Sequence, residues 1–278
     1  VYDFDASVNS LRVLFPPSLG LPKANARAEL VEHSLAVAIA RPVQVRVATD
    51  YDDLVRRACG GEAEVVWAPA GVCARIAPVA RNVHQVVRQG LTSYRSALVI
   101  PSHSKLTIDR LWSARSLRAA WVDPHSLGGY ALAIELLRRR GVEPSQVFSE
   151  QRFMGSHPEA LAAVTDGRAD IAAVTAWSGD ARAVRAALAM HAGPLETRLA
   201  VLAVTDEAPT DALVLTRSID DDGVALVESL LDFEDRPAKR RSMLPSAMGA
   251  ERFVDRGIEP YLALQRRLTA SVAPRSTR

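Results

Sequence analysis

Cysteine is nearly absent: only Cys59 and Cys73 occur in 278 residues. Two cysteines are too few for a disulfide framework, and they show neither CxxC nor Cys/His metal spacing. A strand is read between them, which sets them about 15 Å apart and leaves them as unbonded thiols. Lysine is also scarce, with only Lys23, Lys105 and Lys239, so the positive charge is almost entirely arginine spread along the chain. The 34 basic and 32 acidic residues leave a net charge of +2, and no basic stripe points to nucleic acid. No apolar run approaches the roughly 18 residues of a membrane span. The N-terminus VYDFDASVNS has neither the basic n-region nor the apolar h-region of a signal peptide. The chain begins at Val1 rather than Met, which leaves open an upstream signal, anchor or domain. Gly-x-Ser-x-Gly, Walker A, Gly-x-Gly-x-x-Gly after a strand and His-Glu-x-x-His are all missing. Nothing assembles an acid, a base and a nucleophile, so no enzyme, cofactor or metal is expected.

What is present reads as an ordinary globular chain. Hydrophobic residues are 48% and charged ones 24%, enough apolar side chain for a real core. At roughly 150 residues per domain the length suggests two lobes or one large domain. Short apolar runs alternate with helical patterns. Strands are predicted at Leu11–Phe15, Val43–Ala48, Glu64–Ala68, Val83–Arg88 and Ser96–Pro101, with helices at Ala24–Ala40, Tyr51–Cys59 and Ala70–Ala77. A second series follows: strand Leu117–Val122, helix Leu127–Arg140, strand Val147–Phe153, helix Pro158–Asp166, strand Ile171–Val174, helix Asp180–His191, strand Leu199–Val204. After a strand at Asp211–Thr216, helices are predicted at about Asp221–Phe233, Pro237–Leu244 and Pro260–Ala270. This alternation means parallel sheets covered on both faces. The turn-rich segments Pro101–Ser104 and Thr205–Thr210 bracket the second series. They predict that residues 1–102 with 206–278 form lobe 1 and residues 103–205 form lobe 2, joined by two adjacent linkers as a hinge.

Three groups could carry chemistry. In Asp123-Pro-His-Ser-Leu-Gly-Gly-Tyr130, Ser126 suits an N-cap, while Gly128 and Gly129 leave first-turn N–H groups open to an anion at the positive end of a helix. The same pattern also serves as a plain cap and turn. In Gly155-Ser-His-Pro-Glu159, Ser156 and Glu159 have capping-box spacing. His157 is left over: it could donate to the same anion or simply be an exposed histidine at a helix start. Finally Tyr51, Tyr94 and Trp177 fall at element ends, where the mouth of a parallel sheet would be; alternatively they pack at a lobe edge.

Taken together, Asp50-Tyr-Asp-Asp-Leu-Val55, Val65-Val-Trp-Ala-Pro69, Ser93-Tyr-Arg-Ser96, Ala120-Trp-Val-Asp-Pro124, Ser126-x-Gly-Gly-Tyr130, Gly155-Ser-His157 and Asp170-Ile-Ala-Ala-Val174 resemble the phosphate/phosphite/phosphonate family of ABC-transporter solute-binding proteins over about residues 11–216. Gly-Ser-His at its distance after Asp-Pro-x-Ser is the most specific element. The resemblance implies an α/β, two-lobed type 2 periplasmic-binding-protein fold, with two mixed sheets flanked by helices, a double-strand hinge and a ligand cleft between the lobes. It also implies that a Ser-Thr-Ser-Gly loop and the Gly-Ser-His histidine hold the phosphonate, with tyrosines from the other lobe. These carry over to Ser126, Gly128, His157, Tyr51 and Tyr94. The loop departs from that pattern as Ser126-Leu127-Gly128-Gly129, which lacks two hydroxyls. Trp177 stands where aminophosphonate binders carry an acid, and Asp211 falls loosely where they have another polar contact.

The function expected is a non-enzymatic binder of a small anionic, phosphonate-like ligand other than an aminoalkylphosphonate. Its partner would be an ABC permease or a fused signalling domain, and its location periplasmic or extracytoplasmic by resemblance. The alternatives are a cytoplasmic sensor or effector domain, or a cofactor-biosynthesis enzyme on the same fold with His157 in its cleft.

Overall fold

The computed structural model describes residues 10–17 and 21–272. In chain order the first elements are β1 (Leu11–Phe15), α1 (Leu21–Ile39), β2 (Val43–Val47), α2 (Tyr51–Cys59), β3 (Val65–Ala68), α3 (Ala70–Cys73) and β4 (Ala80–Val87). There follow β5 (Ser93–Pro101), β6 (Leu117–Trp121), α4 (Leu132–Arg139), α5 (Pro144–Val147), β7 (Phe148–Phe153), α6 (His157–Thr165), β8 (Ile171–Ala176), α7 (Ala181–Ala192) and β9 (Leu199–Val204). The chain ends with β10 (Ala208–Pro209), β11 (Ala212–Thr216), α8 (Asp221–Glu228), α9 (Leu244–Met248), β12 (Arg252–Asp255) and α10 (Glu259–Val272).

These elements form two compact units. One comprises the described residues up to Thr92 together with Pro209–Ala263, and the other comprises Ser93–Ala208 together with the described residues from Leu264 onward. The boundary therefore precedes β5, which corrects the expected division at 102/103. The physical reason is pairing: β5 hydrogen-bonds to β8 and β9 along its length. Pro101–Ser104 is accordingly a turn inside the second unit, where Ser102 N–H donates to Arg198 O (2.8 Å). In the first unit Thr92, where the chain leaves, lies beside Thr210, one residue after it returns, since Thr210 N–H donates to Thr92 O (3.0 Å).

Both sheets are mixed, as the family resemblance implied, rather than wholly parallel as the strand–helix alternation suggested. The first has the order β12-β4-β11-β3-β1-β2 and the second β10-β5-β8-β6-β7, with β9 also pairing β5. The pairs β1–β2, β1–β3, β6–β7 and β6–β8 are parallel. The strands β4, β5, β9 and β11 give each sheet its antiparallel part. Those strands run antiparallel to their neighbours.

The first core packs α1 residues Ala28, Val31 and Leu35 on Leu11, Val13, Phe15, Val65 and Leu213. In the second unit β5 shows period-2 alternation. Ala97 and Val99 face Leu161, Val164 and Leu188, while Leu98 and Ile100 face Leu137, Val142 and Val147. The helix α2 is where the sequence placed it, because Asp50 caps it by accepting from Asp53 N–H (2.7 Å). Elsewhere the boundaries move. The helix expected from Leu127 opens with a wider π-type turn, Leu127–Ala131, in which Ala131 N–H donates to Ser126 O (3.0 Å). The helix expected over Pro237–Leu244 is instead α9, started by Pro245 in its first turn. Strand β12 escapes periodicity because only Phe253 of its four residues is buried. Cys59 is exposed, Cys73 is buried, and both are free thiols. Among the described residues no helix is long and apolar enough to cross a membrane.

Candidate functional site

Strands β6, β7 and β8 are mutually parallel, so the segments that leave them emerge on one edge of the second sheet. Those segments carry Ser126, His157 and Trp177 respectively. Tyr94 reaches the same edge because β5 runs antiparallel to β8, with Arg95 opposite Ala176. Topology alone thus collects four of the expected site positions.

The loop after β6 is held by its own hydrogen bonds. Asp123 accepts from His125 N–H (2.8 Å), and Ser126 Oγ accepts from Gly129 N–H (3.0 Å). Ser126 is thus the cap of the plainer reading, and the Gly129 N–H, expected to face a ligand, is occupied by it. The Ser126 hydroxyl keeps its own proton to donate. Gly129 lacks room for a side chain: a Cβ there would collide with Val122. Gly128 is enclosed from two sides, with Ser96 Oγ donating to its carbonyl (2.6 Å) and Thr175 filling the space a Cβ would need. Leu127 is buried.

His157 opens α6, with Ser156 accepting from Glu159 N–H (3.3 Å) as its cap. Its Nε2 is hydrogen-bonded to Thr175 Oγ1 at 3.2 Å, and its ring stacks on His191 with centroids 4.9 Å apart. Burial, reinforced by His191, lowers the His157 pKa to about 4, so the imidazole is neutral at pH 7. The Ala173 backbone opposes that shift, and Nδ1 is buried without a hydrogen-bond partner. Burial lowers the His191 pKa as well. Tyr94 and Trp177 meet edge to face at 6.2 Å, forming an aromatic wall beside Gly128, whose added Cβ would touch Tyr94 at 3.4 Å.

Two expected residues belong to the first unit. Tyr51 is the first residue of α2. Asp211 precedes β11, where its carboxylate accepts from Trp67 Nε1 (3.1 Å) and Arg88 (2.9 Å), and Arg88 also donates to Met248 O (2.6 Å). Tyr94, expected from the lobe opposite Ser126 and His157, lies in the same unit as they do. Sequence reasoning missed Thr175, Ser96 and His191. The signal for the first two was a lone hydroxyl in each of two otherwise apolar strands, Ile-Ala-Ala-Val-Thr-Ala and Ser-Ala-Leu-Val-Ile.

No group of His, Cys, Asp and Glu suited to a metal occurs among the described residues. A cavity of about 490 Å³ opens beside Arg118, Asp170 and Arg198. It lies at the other end of β6 and β8, where Arg118 is already bound to Asp170 (2.9 Å), and takes no part in this site.

The family of phosphonate ABC-transporter periplasmic substrate-binding proteins matches residues 16–256. No curated protein matches. Among solved structures, a binding-protein component of a phosphonate ABC transporter from Pseudomonas aeruginosa is 17% identical, with a TM-score of 0.69 over 96% of this chain and 90% of its own. PhnD1 from Prochlorococcus marinus, in complex with methylphosphonate, is 17% identical with a TM-score of 0.68 over 94% and 97%. A Xanthomonas citri protein bound to chloride is 16% identical with a TM-score of 0.74 over 95% and 100%.

Proposed function

Because the chain belongs to the periplasmic substrate-binding protein family of phosphonate ABC transporters, we propose that it captures a small phosphonate-like oxyanion and delivers it to an ABC permease. The family is a transport family, and the chain's role is binding without chemical turnover. The observation that carries the reading is the meeting of the Ser126–Gly129 loop, Thr175 and His157 at one edge of the second sheet. An anion there would meet the N-terminal end of a helical segment, whose first-turn N–H groups carry partial positive charge. The hydroxyl of Ser126 adds a donor, and a neutral His157 adds no net charge. Tyr51 of the first unit is the further contact that the family resemblance adds to the proposal.

The aromatic wall narrows the ligand class. A buried ammonium without a counter-ion costs several kcal/mol, and Trp177 supplies apolar and π surface in place of a charge. The ligand therefore presents its oxyanion to the loop and an apolar or planar group to Trp177. Calorimetric titration with phosphate, phosphite, methylphosphonate and 2-aminoethylphosphonate tests this. At least one of the first three is expected to bind in the micromolar range; failure of all four would overturn the reading.

A further inference from the structure

The space beside Gly128 is filled from another strand. A Cβ built on Gly128 would stand 3.1 Å from Thr175 Cβ and would overlap Thr175 Oγ1 outright. The Thr175 hydroxyl therefore occupies the volume that a hydroxyl on residue 128 would take. Thr175 is only partly buried, although its β8 neighbours Val174 and Ala176 are fully buried. Its Oγ1 has one hydrogen-bond partner among the described residues, His157 Nε2 at 3.2 Å.

The proton inventory gives that bond a direction. His157 Nδ1 is buried and makes no hydrogen bond. Of the two neutral tautomers, the one protonated on Nε2 carries its proton on the nitrogen that has a hydrogen-bond partner. Nε2–H then donates to Oγ1 and leaves the Thr175 proton free to point elsewhere. With the Gly129 N–H already bound to Ser126, one backbone donor of the loop is taken.

We propose that Thr175 is a ligand-contacting residue whose hydroxyl donates to the bound oxyanion beside Gly128, with His157 as the positioning residue that fixes the direction of that hydroxyl. The inference rests on the binding function proposed above and names a donor which that reading did not require. It also assigns Gly128 a definite task, that of leaving room for a side chain from β8.

The test is titration of methylphosphonate and inorganic phosphate into the wild type and variants. T175V keeps the shape and removes the hydroxyl, and it is expected to weaken binding by about tenfold to a hundredfold, as befits one lost hydrogen bond to a charged group. T175S is expected to stay within about threefold of the wild type. H157Q, whose amide can still donate to Oγ1, is expected to retain more affinity than H157A. The pair G128S/T175A moves the hydroxyl back to the loop and is expected to bind more tightly than T175A alone. Thermal midpoints identify any variant that fails to fold, and T175S then carries the comparison with H157Q. Nitrogen-15 spectra of His157 provide a readout without ligand: the proton is expected on Nε2. A wild type that binds with T175V binding equally well would overturn the role of Thr175 while leaving the binding function intact, and so would a proton found on Nδ1. A wild type that binds neither probe would overturn both.

Discussion

His157 and His191 stack with their ring planes tilted by 37°, a pairing of two neutral imidazoles across α6 and α7. Neither ring gains from being charged, because burial lowers both pKa values and each proton added to one ring repels a proton on the other.

This pairing makes stability depend on pH. In the folded chain His157 titrates at about 4, against an ordinary value of 6.5, so between those values the unfolded chain binds more protons. Stability is therefore fully present above about pH 6.5 and is lost as pH falls toward 4. The expected outcome is a thermal midpoint that drops between pH 7 and pH 5, and drops less in H157Q and H191Q. Equal drops in all three proteins would show that the pair does not govern acid sensitivity.

Asp211 is expected to act on stability first. Its carboxylate joins Arg88 to Trp67, and both its own side chain and that of Arg88 are about four-fifths buried. D211A strands the guanidinium and the indole N–H and should cost about 1–3 kcal/mol in urea unfolding, with strong non-additivity in R88A/D211A. A variant that unfolds like the wild type but loses methylphosphonate affinity would assign Asp211 to the ligand instead.

The two thiols should differ in reactivity. Cys59 is exposed, whereas Cys73 is buried and its pKa is raised by that burial and by the charge of Asp211. A thiol reagent is expected to titrate one cysteine quickly in the native protein and two in denaturant. Two fast native thiols would contradict the packing of α3 against β3.

Trp177 should set ligand choice. The wild type is expected to bind 2-aminoethylphosphonate no better than millimolar, while W177E supplies a counter-ion and should gain about tenfold or more. W177A, which opens space without charge, should not gain. Micromolar binding of the aminophosphonate by the wild type would refute the argument.

Much of the fold was legible in order of residues because its signals are local. Asp50 before Tyr51–Cys59, Ser156 before His157, and apolar runs ended by turn residues each act within a few positions of chain. Local spacing also placed Ser126, His157 and Trp177 at element ends, and parallel strands carry such ends to one edge. What the order of residues left open was direction and partnership. Whether β5 belongs with β4 or with β8 depends on which strand edge is free when the sheets assemble, and that choice moved Tyr94 into the second unit. The partners of Gly128 come from Ser96 and Thr175, 32 and 47 positions away along the chain. Only packing can bring them there, because glycine leaves a space without specifying what fills it. The charge state of His157 was decided in the same way, by its burial against a histidine 34 residues further on, which no spacing within Gly-Ser-His encodes.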